Sequence, residues 1–160
     1  MIRPVLQKGG AILLASSAQI IDFNAVRVIY QDLCDTIEYL ITTHDFTRGI
    51  GLAAPQIGVS SRISVARYAD SEYVLINPEI KECSVEKRSI REGCISFFTY
   101  RGNVPRYTYV KVKAQNLDGL WYEIEARDDF AMLLQHEIDH LNGILYTEHL
   151  PNRDGDLYLA

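Results

Sequence analysis

The feature that most constrains this chain is a run near its end, Gln135-His136-Glu137-Ile138-Asp139-His140, followed by Leu141-Asn142-Gly143. The surrounding residues carry helical spacing, Asp128 or Asp129 can cap the helix, and Gly143 is placed to end it. Residues four apart on a helix share one face, with Cβ atoms roughly 5–6 Å apart. His136 and His140 can therefore aim two imidazole nitrogens at one metal ion. Glu137 projects beside them and can reach a water in the ion's open position. Taken alone, a five-residue pattern of common residue types also arises by chance on a polar surface. The helix around it and a ligand candidate upstream argue for the metal.

A catalytic site of the zinc type uses three protein ligands and keeps one position open. The third can come from Cys94, Cys83, His44, His149 or a carboxylate. His149 follows His140 by nine residues, with a turn and a strand over 144–150 expected between them. Cys94 sits in Glu92-Gly93-Cys94-Ile95-Ser96, where the glycine frees the backbone to approach an ion. Local chemistry favours Cys94 as a ligand over a buried bystander.

The rest of the chain bounds the setting. At 160 residues it reads as one domain, 1–160. A formal charge of −5 counts against a surface built for nucleic-acid phosphates or anionic lipid. No apolar run approaches the ~18–20 residues that cross a bilayer, and Ala11–Ala15 is too short for a signal peptide. Neither a membrane nor a nucleic acid is expected as a partner, and the expected compartment is the cytoplasm. Cys34, Cys83 and Cys94 show no paired spacing, consistent with reducing surroundings.

Residues 1–22 read as irregular and without a role. Val26, Ile29, Leu33, Ile37, Leu40 and Ile41 predict a helix from about Asn24 to His44, capped by Asp22 or Asn24 and burying Cys34. The stretch 49–58 reads as a tight turn. It lacks the G-x-G-x-x-G spacing and the Lys-Ser/Thr ending of nucleotide-binding loops. Strands are expected at Ile63–Arg67, at Tyr73–Ile76 (ended by Asn77-Pro78), over 84–92, at Tyr107–Asn116 and at Trp121–Ala126. Leu117-Asp118-Gly119 turns the last pair, and the polar tail should fray. The fold class is α+β, with mixed or antiparallel strands around a central HExxH helix and a helix nearer the N-terminus.

Three stretches together resemble the motifs of peptide deformylase: Gly49-Ile50-Gly51-Leu52-Ala53-Ala54-Pro55-Gln56, Glu92-Gly93-Cys94-Ile95-Ser96 and Gln135–Gly143. They stand in the family's order with similar separations, and the resemblance covers roughly residues 20–150. It implies that Cys94, His136 and His140 bind one divalent metal, natively Fe(II), with Zn, Ni or Co as alternatives in prepared protein. It implies Glu137 as general acid/base toward a metal-activated water, and Gln56 with the Ile95 N–H as donors to the formyl oxygen. Gly51 would pair with the substrate backbone. Ile50, Leu52 and Leu133 would line a methionine pocket, and Arg101 would shape the groove. The implied substrate is an N-formylmethionyl peptide near the ribosome. The long C-terminal helix linked with ribosome docking in many members has no counterpart here, so docking is not carried over. Three other departures stand out: Ile95 for the usual Leu, Phe97-Phe98 where a proline is common, and Thr47-Arg48 where an acidic pair is common. The aromatic pair is expected to reshape the groove, and Thr47-Arg48 to change the charge at its entrance.

Overall fold

The computed structural model describes residues 1–160. Helix α1 (Val26–Thr43) precedes strands β1 (Ile50–Ala53), β2 (Ile63–Tyr68), β3 (Ser71–Cys83), β4 (Lys87–Cys94), β5 (Phe97–Tyr107), β6 (Tyr109–Gln115) and β7 (Trp121–Arg127). Helix α2 (Asp128–Leu141) and a two-residue strand β8 (Tyr158–Leu159) follow. Five strands form one antiparallel sheet in the order β1-β2-β3-β6-β7, and β4-β5-β8 form a second. The α+β expectation holds, and every ladder between named strands is antiparallel.

Helix α2 is the centre. Eleven of its fourteen residues are buried, so it is a core helix with no solvent face to spare. Phe130, Leu134 and Ile138 pack with Leu75, Val110, Val112 and Ile124 of the five-stranded sheet. Helix α1 seals the β1–β2 end through Leu33, Ile37 and Leu40 against Leu52, Ile63 and Val65. Each such large aliphatic side chain contributes ~1.5–3 kcal/mol on burial. No helix is long and apolar enough to cross a membrane.

Several local expectations are corrected. Neither Asp22 nor Asn24 caps α1, whose N-cap is Ala25 without a side-chain bond. Asp22 instead accepts from the Asn24 backbone and amide. Nor does Asp128 or Asp129 cap α2, whose N-cap is Arg127. Both acids lie in its first turn, where they suit the helix dipole. Gly143 does follow the helix end, at φ 72°. The stretch 49–58 is a strand running into a 3-10 turn at Ala54–Ile57 rather than one tight turn.

Strand β3 runs through Asn77-Pro78, because Asn77 takes φ 48° and the ladder shifts register there. Pro78, with no N–H to give, thus falls at a bulge. Strand β5 was not expected, since Gly102 and Pro105 weaken its pattern. Strand β8 pairs only with Tyr100 and Arg101, which leaves β5 an edge where Pro105 sits. Residues 144–150 hold a 3-10 turn at Tyr146–His149, not a strand. The tail does not fray but adds β8.

Candidate active site

A cleft opens over α2, with Met132, Leu133, His136 and Glu137 along its floor. One wall is Arg48–Gly51, leading into and along β1. The other is Glu92–Ile95 with Phe98 and Arg101 of the β4–β5 hairpin. All three sequence stretches singled out above thus meet at one place.

His136 and His140 lie one turn apart on α2, with Nε2 atoms 3.1 Å apart. The β4–β5 turn brings Cys94 Sγ to 3.2 Å from His140 Nε2. All three donor atoms fall within 4.8 Å of one another, and all three residues are buried. A donor set of this kind fits a divalent cation. His136 Nδ1 faces the Glu92 carboxylate, so Nδ1 carries the proton and Nε2 turns a lone pair inward. His140 Nδ1 is buried without a partner. Lone pairs gathered this closely repel unless a cation lies among them. Their spacing is near the ~3.4 Å expected between neighbouring donors at ~2.0–2.3 Å from a tetrahedral ion. Burial opposes the Cys94 thiolate, yet positive charge on the His140 and His136 rings outweighs it and brings the thiol down to about 5, a role that a bound cation would take over. A thiolate ready at neutral pH is what a metal requires.

The ligands are braced from behind. Glu92 accepts from Arg106 Nη2 at 2.7 Å and Nε at 2.9 Å, and Arg106 Nη1 donates to Asp139 at 2.6 Å. Burial alone would raise Glu92, but the Arg106 guanidinium and His136 hold it at about 2. Asp139 in turn meets His149 Nε2 at 2.8 Å. His149 is therefore occupied at the far end of a chain of bonds through Asp139, Arg106 and Glu92 to His136, and is not part of the donor cluster. Tyr146, 2% exposed, stacks beside His136 and packs on Cys94.

Glu137 is buried against β1 and β2. Ser64 Oγ donates to its Oε2 at 2.9 Å. A Cβ on Gly51 would fall onto the Glu137 carboxylate, so glycine is what lets β1 pass so close. Burial pushes the Glu137 carboxyl upward, against the pull of the two imidazoles and Ser64. Gln56, 1% exposed, accepts from the Ala53 N–H through Oε1 at 2.8 Å. Its Nε2 lies 3.2 Å from Ser96 Oγ and 3.6 Å from Cys94 Sγ. The Ile95 N–H donates to no group of the chain.

Of the expected pocket residues, Ile50 and Leu133 line the cleft, and Arg101 stands at its rim, donating to the Phe98 and Tyr100 carbonyls at 2.8 Å. Leu52 does not line it. Leu52 shares a face of β1 with Ile50, and both pack in the core against α1; Leu52 is fully buried there, and only Ile50, nearer the strand's start, also reaches the cleft. Only one of the two neighbouring aromatics faces the cleft. Phe98 lines it and meets His44 edge-on, whereas Phe97 turns away toward Tyr146. Cys83 is exposed and Cys34 is buried elsewhere, so neither joins the site.

Glu92, Ser64, Arg106 and Asp139 escaped the sequence reading. Glu92 stood inside a motif already singled out, two residues from a ligand, where an orienting carboxylate belongs. Arg106 sits two residues from Val104, and strand parity alone places it inward. Ser64 carried no signal.

The family model described as "Polypeptide deformylase" matches residues 2–155. Peptide deformylase 1 of Clostridium acetobutylicum is 39% identical, with 97% of this chain and 99% of that one aligned. The crystal structure of peptide deformylase from Thermotoga maritima superposes with a TM-score of 0.86 at 30% identity, covering 94% of this chain and 98% of that one. A Met-Ala-Ser-bound peptide deformylase from Acinetobacter baumannii superposes at 0.82 and 32% identity, covering 94% and 99%. By the family match and by these relatives, the chain belongs to the peptide deformylases, enzymes that remove the N-formyl group from nascent peptides.

Proposed function

We propose that this chain is one catalytic domain that hydrolyses N-formylmethionyl peptides to formate and a free amine, using a single divalent ion, natively Fe(II), held by Cys94, His136 and His140. The observation that carries this reading is the convergence of those three buried donors beside Glu137 at the cleft floor. Bound there, the ion would lower the pKa of a water toward ~7 and polarise the formyl group.

The chain's own residues supply the rest. Glu137 is tethered through Oε2 to Ser64, which leaves Oε1 free to take a proton from the attacking water and return it to the departing amine nitrogen. Gln56 Nε2 and the Ile95 N–H donate to the formyl oxygen as negative charge develops, a pair worth ~3 kcal/mol per donor. Strand β1 ends its sheet, so Ile50 and Gly51 offer unpaired backbone groups to an extended peptide. Ile50 and Leu133 give the methionine side chain an apolar bed, with Arg101 at the rim. The Met-Ala-Ser ligand of the Acinetobacter relative is the peptide this arrangement would accommodate. The expected setting is the cytoplasm.

Stripping the metal with a chelator should abolish formate release from formyl-Met-Ala-Ser, and about one equivalent of Fe(II) under nitrogen should restore it. Full turnover by protein shown to be metal-free would overturn the metal assignment.

A further inference from the structure

The N-terminal residues 5–8 cross the back of the site. The Leu6 N–H donates to the Gln56 carbonyl at 2.8 Å, and the Lys8 N–H to the Ser96 carbonyl at 2.9 Å. Between them, Gln7 Nε2 donates to the Ile95 carbonyl at 3.2 Å. Three consecutive residues thus hold, on one side, the turn that carries Gln56 and, on the other, the turn that carries Ile95. Side chains add to the hold: Lys8 Nζ lies 4.4 Å over the Phe97 ring and pairs with Asp154.

We infer that residues 6–8 are a positioning strap, which fixes the spacing of the two donors, Gln56 Nε2 and the Ile95 N–H, that receive the developing oxyanion. The inference rests on the function proposed above. The two donors, Gln56 and Ile95, stand 39 positions apart in sequence and share no ladder: Gln56 follows β1 of one sheet, and Ile95 turns between β4 and β5 of the other. The polar contacts between them on the cleft side are those of the Gln56 amide, with Ser96 Oγ at 3.2 Å and Cys94 Sγ at 3.6 Å. Preorganised donors act only where the oxygen will be, and a displacement of about 1 Å can cost ~10²-fold in rate. A backbone brace behind both turns supplies that preorganisation without touching substrate.

The local conformation allows a clean test. The Gly10 N–H donates to the Gln7 carbonyl, with Gly9 at φ 110°, so residues 7–10 form a type II-like turn with Lys8 at its second position. Proline is favoured there. Lys8→Pro therefore keeps the turn, removes the N–H that binds Ser96 along with the side chain, and sets its ring carbon against the Ser96 carbonyl, so the strap is pushed off that turn. Lys8→Ala removes the side chain and keeps the N–H, so the difference between the two variants reads the strap's hold on the Ser96 turn. Gln7→Met removes the donor to Ile95 at similar length.

Steady-state kinetics on formyl-Met-Ala-Ser, with full-length iron-loaded protein, should give Lys8→Pro a kcat about tenfold below Lys8→Ala, with KM changed less than about twofold. Gln7→Met should fall in the same direction by a smaller factor. Metal content and melting temperature should match those of Lys8→Ala. Combining Lys8→Pro with Gln56→Ala should cost less than the product of the separate losses, because both act on one oxyanion site. Equal kcat for Lys8→Pro and Lys8→Ala overturns the strap while leaving the deformylase reading intact. A kcat loss matched by lost metal, lowered melting temperature or strict multiplicativity with Gln56→Ala also overturns it, as a general structural effect. Absence of formate release from the unmodified enzyme would instead overturn the underlying reading.

Discussion

Replacing Arg106 with leucine should damage both the fold and the metal site, and the size of the damage follows from what Arg106 touches. Its side chain is 3% exposed and forks onto Glu92, whose side chain is 1% exposed, while its third nitrogen holds Asp139. Without it, two carboxylates stay behind in the interior, and one of them orients His136. Breaking a buried pair by removing one partner costs ~3–5 kcal/mol. Burial raises Glu92, and Arg106 is the first of the groups that overcome it and hold the carboxyl well below its usual range, which points the same way. For a chain of this length ~1 kcal/mol moves the melting temperature by about 2–4 °C, so Arg106→Leu should melt on the order of 10 °C lower. Losing the brace on a ligating histidine should also weaken metal binding by ~10–100-fold. Circular-dichroism melts of metal-free protein read the first effect, and competition with a chromophoric chelator reads the second. Arg106→Lys keeps the charge but not the fork and should fall between. A leucine variant that melts within ~2 °C of the parent and binds metal equally well would refute the reasoning.

Other consequences are as direct. Glu137→Ala should keep its metal but lose at least ~10²-fold in kcat; loss of the ion, read by metal analysis, would show that Glu137 is a ligand instead. Cys94→Ser should lose metal on dialysis, and full occupancy afterwards would remove Cys94 from the ligand set. Gly51→Ala should drive a methyl into the Glu137 carboxylate, cutting kcat by ~10²-fold or more with metal content unchanged; parental kcat would show that β1 does not fix that carboxylate. The iron-loaded enzyme should lose activity over hours in air, since Fe(II) reacts with oxygen and the reduced oxygen species formed beside it oxidise the thiolate ligand, whereas the form loaded with redox-inert zinc should not. Equal survival of the two forms would refute this.

The site was legible where chemistry concentrates on short spacings. His136, Glu137 and His140 announce themselves by a four-residue period on one helix, and Cys94 by the glycine before it. What stayed hidden depends on contacts between distant elements. Arg106 looks like any strand arginine until β5 is known to turn it inward toward Asp139, thirty-three residues away. Strand β5 itself was obscured by Gly102 and Pro105, and only its place at a partly free edge reconciles them. Leu52 shares its strand face with Ile50, and a run of apolar residues does not reveal how far along β1 the cleft extends. Residues 5–8 carry no periodicity at all, and their role comes from backbone donors, to which sequence is blind.

The central claim, that three buried donors and Glu137 make this chain a metal-dependent deformylase, is tested most directly by formate release from a short formyl-Met peptide. The parent and Glu137→Ala, both loaded anaerobically with Fe(II), should be measured side by side. Rapid release by the parent and at least ~10²-fold less by the equally loaded variant is the predicted result. No release by well-folded, metal-loaded parent, or equal release by both proteins, would contradict it.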